Sequence, residues 1–561
     1  ASTIPELLSA VVPPTDAQLL EFQAILGDTV SARDDAEDAR DEAILAAQSA
    51  EDRVWNKATL ADAQANSFAL VGDSVNIKER TTGNGGGAMW DYVEASSVTV
   101  NGFNVVSCGG VASLSLLLRS QGRALNAREW GAKGDGSNND QPPLQAVIDH
   151  AILQSEPFPS IYIPSGVYFI YSELDRSGNG VYVDIYGDGR RNTILEAADA
   201  MRSMIMLASE GDIAGRTTIR DITLRCNSLS EYGVDAQHMR YWTLNNMGIK
   251  GALLANVIGG NWVSRIINNS FEDSPIGFLV EGIASNPTAT NNLILQDNSF
   301  NSCEIGVKTS YYVNDLNILA NAFDACSNAA IYISKGSRST NIKNNYIEAC
   351  GKGDGVDVET ASGVFVKRSA AIVLGFNYST LSHTFKGDIK DNFFADCNTD
   401  RYIDVWNVEL CEISNNDIHD ATSTGALVEI SGIGCSATLC RKLEVIGGYP
   451  SSVVSKLVEL NGDSARDSHC NIVIDNSMGS GDSRAMFAVN DPSSEAGWSN
   501  NSNVILSSYQ DSYDRFIFDA ITQGSRVDTD LDITLSSDHP LLGRYIRVHY
   551  LAKGEGAVSG I

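Results

Sequence analysis

Residues Asn298 to Cys350 read NSFNSCEIGVKTSYYVNDLNILANAFDACSNAAIYISKGSRSTNIKNNYIEAC, and one six-residue phrase occurs in them three times. In each occurrence an Asn is followed two positions on by Phe or Ile and five positions on by Cys. Working outward, the phrase returns with a small residue in the last place as NSFEDS at Asn269, NFFADC at Asn392 and NDIHDA at Asn416, so its steps are 29, 23, 24, 47 and 24 residues. A repeat of this length marks stacked supersecondary units, each burying its apolar side chains only against its neighbours. The intervening residues are β-branched and broken by Gly or Asn every few positions, which leaves no room for helices of ten residues or more. The pattern therefore predicts an all-β solenoid, a parallel β-helix with one coil per repeat. Asn in the phrase suits turn dihedrals and pairing along the stack. Phe300, Phe323, Ile347 and Phe394 fill the interior, and Cys303, Cys326, Cys350 and Cys397 act as small buried hydrophobes. The doubled step of 47 leaves two readings, a rung that has lost its signature or an inserted loop.

The rest of the composition agrees. The chain has 561 residues, 70 Asp plus Glu against 40 Lys plus Arg, and a net charge of -30. Such a balance argues against nucleic acid or an anionic membrane as partner. No apolar run approaches the ~20 residues of a membrane span, and the opening ASTIPELLSA lacks the basic and apolar regions of a secretory signal, which predicts a soluble chain made in the cytoplasm. Ten cysteines are too sparse for a disulfide scaffold and form no CxxC pair, so reduced thiols are expected. Cys411, Cys435 and Cys440 lie close in sequence without the spacing of a zinc site.

Ahead of the repeat, residues 16 to about 55 are rich in Ala, Asp, Glu and Arg. The positions Phe22, Ile25, Thr29, Ala32, Ala36, Ala39, Ala43, Ala46 and Ala50 alternate steps of 3 and 4, the seam of a coiled coil; a single solvated helix is the alternative, because alanines bury little. A short stretch of Val-rich alternating runs follows, interrupted by GNGGG, and reads as a small β domain with no strand and helix to make the glycines a nucleotide loop. At Glu129 begins EWGAKGDGSNNDQPPLQAVIDHA, a glycine-rich loop entering an amphipathic helix. It lacks the Lys-Ser/Thr ending of a phosphate loop. A helix near 142–153 placing Leu144, Val147, Ile148 and Ile152 on one face is suited to covering the open end of a solenoid.

This stretch, with the following SIYIPSGVYFI and VDIYGDGRRNTIL, resembles the start of the pectate-lyase-like right-handed parallel β-helix found in bacteriophage tailspikes. The upstream LVGDSVNIKERTTGNGGGAMWDYV looks like the small head domain that precedes the helix in such proteins. The resemblance implies a helical virion-attachment segment over residues 1–57, a small β head domain over 58–122, a right-handed β-helix over 123–480 and a C-terminal β-rich closing or trimerisation region over 481–561. It further implies a homotrimer on a phage tail, joined through residues 1–57 to tail, baseplate or portal-adaptor proteins, that binds and depolymerises a bacterial surface polysaccharide without cofactor. One fold hosts hydrolases, lyases and non-catalytic binders, and no catalytic motif carries over by position, so the chemistry must be sought in the residues themselves.

Glycosidic hydrolysis needs two carboxyl groups on one surface. Nine to twelve residues after each Asn stands a second strand, VKTS at Val307, IYIS at Ile331, VDVE at Val356, IDVW at Ile403 and VEIS at Val428. With first and third residues inward, the second positions Lys308, Tyr332, Asp357, Asp404 and Glu429 and the fourth positions Ser310, Ser334, Glu359, Trp406 and Ser431 point out. Stacking these strands predicts Asp357, Glu359 and Asp404 as acid and base, with Trp406 and Tyr332 as sugar platforms and Lys308, Glu429 and Arg401 as further substrate contacts. Adjacent acids on so acidic a chain also arise by chance. Asp324 and Glu348, expected in turns after the Asn phrase with Glu272, are weaker candidates. A lyase would instead use Lys308, Lys367, Arg368, His383 or Arg401 beside a uronate. GKGDGVDVE lacks the doubled glycine of a calcium repeat, and no metal is assigned.

Overall fold

In the computed structural model the residues described are 36, 37 and 40, then 54–119 except 84, 124–153, 159–176, 182–207, 216–259 except 238, 263–281, 291–310, 313–334, 339–359, 365–375, 386–397, 401–406, 410–419 and 426–431. Beyond these come the strands Ala437–Arg441, Glu444–Val445, Lys456–Asn461, Ile472–Asn476, Phe487–Asn490, Val504–Ser508 and Ala520–Gln523. The expected seam over residues 22–50 lies outside the described residues, save for Ala36, Glu37 and Arg40, which are helical and exposed.

Three parallel sheets make up the unit Gly122–Ile561. Among the residues and strands just named, sheet I has 14 strands, the first Leu125–Asn126; sheet II has 12, the first Asp135–Asn139; sheet III has 13, the first Leu174–Asp175. The chain visits I, II and III in turn, and each strand pairs in parallel with its counterpart in the next coil, as Leu293–Gln296 does with Leu316–Leu319, Ser299–Asn301 with Ala322–Asp324, and Ile305–Thr309 with Ala329–Ile333. This is an all-β parallel solenoid of the right-handed type. Beyond residue 480, Phe487–Asn490 and Ala520–Gln523 extend sheet III and Val504–Ser508 extends sheet I.

The six-residue phrase is a three-residue strand of sheet II set between two left-handed corners. At the first corner the residue before the phrase has positive φ: 58° at Asn268, 54° at Asp297, 52° at Ala320, 57° at Asn344, 55° at Asp391 and 54° at Asn415. At the second, Asp273, Ser302, Ala325, Ala349 and Asp396 do the same at 47–54°. Each corner turns the chain sharply, and the residue after it points inward. The phrase's own Asn therefore does not take the special dihedral; it enters the interior and forms a ladder. The Nδ2 of Asn269, Asn298, Asn321, Asn345 and Asn392 donates to Oδ1 of the next ladder Asn at 2.9–3.0 Å. The remaining amide hydrogen serves a sheet I carbonyl one coil back, as from Asn321 to Leu295 O at 3.0 Å. Phe271, Phe300 and Phe323 stack behind the ladder with ring centroids 4.9 and 4.7 Å apart. After the second corner Cys303, Cys326, Cys350 and Cys397 are buried free thiols.

The doubled step hides no lost rung. Asn345 bonds directly to Asn392 at 2.9 Å, Thr340–Lys343 pairs with Lys386–Lys390, and Tyr346–Glu348 pairs with Phe393–Ala395. The extra residues are an insertion within one coil.

The glycine-rich loop closes on its own acid: the buried Asp140 carboxylate accepts from Lys133 N at 2.6 Å and Gly134 N at 3.2 Å, so its amides are already used. The helix Gln141–Leu153 follows and buries Leu144, Val147 and Ile148 against Ile161, Ile163, Ile185, Leu195 and Ile205 of the first coils. The unit Ala1–Gln121 contains a five-stranded sheet in the order Val54–Thr59, Ser74–Glu79, Gly86–Glu94, Leu114–Leu118, Val105–Ser107, with Trp90, Tyr92 and Leu116 buried. Gly83 and Gly85 take positive φ in its tight connection, which accounts for the glycine cluster without a ligand.

Candidate active site

Sheet III presents one outward column through the middle of its strands. Register places Leu279, Lys308, Tyr332, Val373, Asp404, Glu429 and Glu459 side by side across successive coils. Their inward neighbours Val307, Ile331, Ile372, Ile403 and Val428 are fully buried, as strand alternation requires. Lys308, Tyr332, Asp404 and Glu429 thus occupy the column read from the sequence. Asp357 does not. The place expected for it belongs to Val373, in the strand Ala370–Gly375.

Val356–Glu359 instead pairs antiparallel with Phe365–Arg368, Val356 opposite Arg368, Asp357 opposite Lys367, Val358 opposite Val366 and Glu359 opposite Phe365. This hairpin is the insertion of the long coil, leaving after the sheet II strand Tyr346–Glu348 and returning to the sheet III strand Ala370–Gly375. Its pattern is apolar, acid, apolar, acid, the same as that of a rung, because both a rung and a hairpin with one covered face obey period two. Val356 and Val358, 3% and 0% exposed, pack with Ile305, Ala329, Tyr332, Ala370 and Val373 on the outer face of sheet III. At the hairpin's base Gly355 has φ 79°, and a Cβ there would run into the Arg368 carbonyl. Ser369 Oγ donates to Gly351 O at 2.8 Å.

Covering sheet III changes the roles open to the residues beneath. Tyr332, expected as a platform for sugar, is 6% exposed, and its hydroxyl donates to the Asp357 backbone carbonyl. Burial first, and the Asp357 charge second, push its phenol well above the ordinary tyrosine value. Lys308 lies with Nζ 5.9 Å from the Tyr332 ring centroid, a cation–π contact. Asp404 is fully buried, with Oδ2 3.8 Å from Arg368 Nε and 3.9 Å from Arg401 Nη1. Trp406 stands in register between Gly375 and Ser431.

On the hairpin, Asp357 faces solvent and its Oδ1 is 3.3 Å from Lys367 Nζ. Lys367 and Arg368 are neighbours on one strand and so point to opposite faces, one toward Asp357 and the other toward Asp404. Asp357 and Asp404 are therefore on opposite sides of the hairpin and do not meet, which corrects the predicted grouping of three acids on one sheet. Phe365, opposite Glu359 and 61% exposed, is an aromatic surface the sequence reading did not single out. The signal was present: VDVE and VFVKR flank the short TASG, two alternating runs around a glycine-containing connection.

Asp324 and Glu348 are not in turns. They are the last residues of three-residue strands on the outer face of sheet II, in register with Glu272 and Asn301. Glu348 accepts from the Tyr346 hydroxyl at 2.8 Å.

Comparison with known proteins gives the following. Residues 124–357 match the family model described as Rhamnogalacturonase A/epimerase, pectate lyase-like. Over 110 residues it is 30% identical to mannuronan C5-epimerase AlgE1 of Azotobacter vinelandii, a match covering 18% of this chain and 8% of the epimerase. Among solved structures it is similar to ORF18 of Geobacillus virus E2, with 15% identity, a TM-score of 0.42 and coverage of 77% of this chain and 76% of the other. It is also similar to the tailspike protein gp49 of Acinetobacter baumannii bacteriophage Fri1, a capsular polysaccharide depolymerase, with 12% identity, a TM-score of 0.42 and coverage of 86% and 77%.

Proposed function

We propose that the pectate-lyase-like solenoid acts on a bacterial surface polysaccharide, a capsule, O-antigen or exopolysaccharide, and cuts within the chain by glycosidic hydrolysis at the hairpin inserted on sheet III. The observation that carries this reading is the hairpin itself: an insertion anchored on a regular solenoid, with acids at alternate positions of one strand, Asp357 exposed and Phe365 exposed opposite the second acid. Inserted loops on rigid scaffolds are where binding and catalytic groups concentrate. Asp357 and Glu359 stand about 6.5–7 Å apart between Cα atoms, near the lower end of the roughly 6.5–9.5 Å carboxyl separation of inverting enzymes. In this reading Asp357, beside Lys367, activates water and Glu359 protonates the leaving oxygen. Phe365 offers a flat face for a pyranose, and Arg401, Glu429 and Trp406 of the following sheet III strands extend the contact surface.

The name of the tailspike neighbour, a capsular polysaccharide depolymerase, supports the substrate class. In the same reading the chain works as a homotrimer on a phage tail, attached through residues 1–57. A second chemistry is favoured by one observation: Lys367 is an exposed ammonium 3.3 Å from Asp357, and the curated relative is an epimerase, so proton abstraction beside a uronate is the alternative. Substitution separates the two. Asp357→Asn and Glu359→Gln each lower cleavage by roughly 100-fold or more while Lys367→Met does so far less; the reverse ranking would favour the lyase or epimerase chemistry, and full activity in all three would remove the hairpin from catalysis.

A further inference from the structure

Asp404 is a carboxylate with no exposure on a face of the solenoid that the hairpin covers. One and two coils earlier the equivalent positions, Val373 and Tyr332, meet the hairpin through apolar contact and through the Tyr332 hydroxyl. At Asp404 the hairpin arrives as Arg368, itself 15% exposed and directed inward by its register opposite the buried Val356. Burying a charge is costly unless another charge meets it, and here guanidinium groups come from two different elements: Arg401 from Asp404's own strand and Arg368 from the hairpin. Of these only Arg368 ties one element to another.

We propose that Asp404 is a positioning residue, the ionic anchor that holds the inserted hairpin on sheet III through Arg368 and so fixes where Asp357 stands. This rests on the hydrolase reading only for its consequence in catalysis; the anchoring itself is independent of it. Val356 and Val358 give the hairpin adhesion, but apolar contact is non-directional and permits sliding along the sheet. The Tyr332 hydroxyl fixes one strand at the Asp357 carbonyl, and the Arg368 to Asp404 contact fixes the other. Two anchors on two strands define the hairpin's register against the coils, and a shift of about 1 Å in a catalytic group is enough to cost on the order of 100-fold in rate. Asp404 thereby acts on the reaction without touching substrate.

Hydrogen exchange of the full chain, read by mass spectrometry over residues 350–375, tests this without reference to activity. Asp404→Asn and Arg368→Gln are each expected to speed exchange of the hairpin amides roughly tenfold or more, the double variant no further than either single one, and Arg368→Lys to restore part of the protection. Exchange at the ladder residues Asn298, Asn321 and Asn345 stays at the wild-type rate, which separates loosening of the hairpin from unfolding of the solenoid. Arg401→Gln leaves hairpin exchange nearly unchanged. On a cleaved polysaccharide, Arg368→Gln lowers kcat with KM within about twofold. Unchanged hairpin exchange in both Arg368→Gln and Asp404→Asn overturns the anchor, as does a hairpin that loosens as much in Arg401→Gln. An Asp404→Asn variant that loses turnover with its hairpin still protected would give Asp404 a direct chemical role instead. If the wild-type protein cleaves nothing, the hydrolase reading fails while the exchange result still decides the anchor.

Discussion

Asn321→Ala removes one rung of the buried amide ladder. In the native protein Asn321 Oδ1 accepts from Asn298 N at 3.0 Å and from Asn298 Nδ2 at 2.9 Å, while its Nδ2 donates to Leu295 O and to Asn345 Oδ1, both at 3.0 Å. After truncation the Asn298 side chain keeps its bond to Ile266 O at 2.8 Å, and Asn345 Oδ1 keeps the Asn321 backbone N–H at 2.9 Å. The Asn298 backbone N–H loses its acceptor in a site 2% exposed, one amide hydrogen of Asn298 goes unused, and Leu295 O loses a donor. A fully orphaned buried donor costs about 1–3 kcal/mol, and the two partial losses with the small void bring the total to roughly 3–5 kcal/mol. Equilibrium denaturation of the wild type, Asn321→Ala and the outward-facing control Asn301→Ala, with the slope checked for constancy, measures it. The control should stay within about 0.5 kcal/mol of wild type. Because each coil is coupled mainly to its neighbours, hydrogen exchange in the variant should rise first at residues 293–300 and 316–323. A loss under about 1 kcal/mol, or exchange rising evenly along the chain, would make the ladder an incidental polar column and not a structural element.

Four further outcomes follow from particular contacts. A Cβ at Gly306 would stand 2.6 Å from both the Ala330 carbonyl oxygen and Phe323 Cδ1, so Gly306→Val should cost about 3 kcal/mol or more and lower the thermal midpoint measured by circular dichroism. Burial pushes the Cys226 thiol up to about 12 and, despite hydrogen bonds from Ser274, Cys303 up to about 11. Folded thiols that stay protonated when unfolded ones ionise lend stability that is fully present below pH 9 and lost as pH rises toward 11–12, so stability should fall across that window, less so in Cys226→Ala/Cys303→Ala. The same thiols should be inert to a disulfide reagent at neutral pH until the protein unfolds. Tyr332→Phe removes the bond to the Asp357 carbonyl and should increase proteolytic nicking within residues 356–368 while leaving global stability within about 1 kcal/mol.

The solenoid was readable from the sequence because its determinants repeat. Asn, an apolar residue two positions on and a small residue five positions on are the three inward points around one corner-strand-corner unit, and stacking forces them to recur. What the pattern does not specify is which of two adjacent positions bears the left-handed turn, since Asn, Asp, Ser and Ala all occur at the corners themselves. The hairpin is not distinguishable from a rung in the sequence for a related reason. Val356, Asp357, Val358 and Glu359 satisfy the alternation of a sheet III rung as well as Ala370–Gly375 does, and period-two patterning tells only that one face is covered, not by what. Burial of Tyr332 and Asp404 then followed from the hairpin above them, a tertiary fact with no local signature. Lys308, Tyr332, Asp404 and Glu429 were nevertheless aligned correctly, because their inward neighbours Val307, Ile331, Ile403 and Val428 set the register by themselves.

Whether this solenoid hydrolyses a bacterial polysaccharide is decided by the chemistry of its products. Purified protein is incubated with a panel of bacterial capsules, O-antigens and exopolysaccharides, and the fragments are examined for chain length, reducing ends and ultraviolet absorbance. Hydrolysis is expected to leave at least one glycan shortened to oligosaccharides with new reducing ends and no absorbing unsaturated sugar. Fragments carrying an unsaturated uronate, or a glycan bound by the protein yet left at full length, would contradict it.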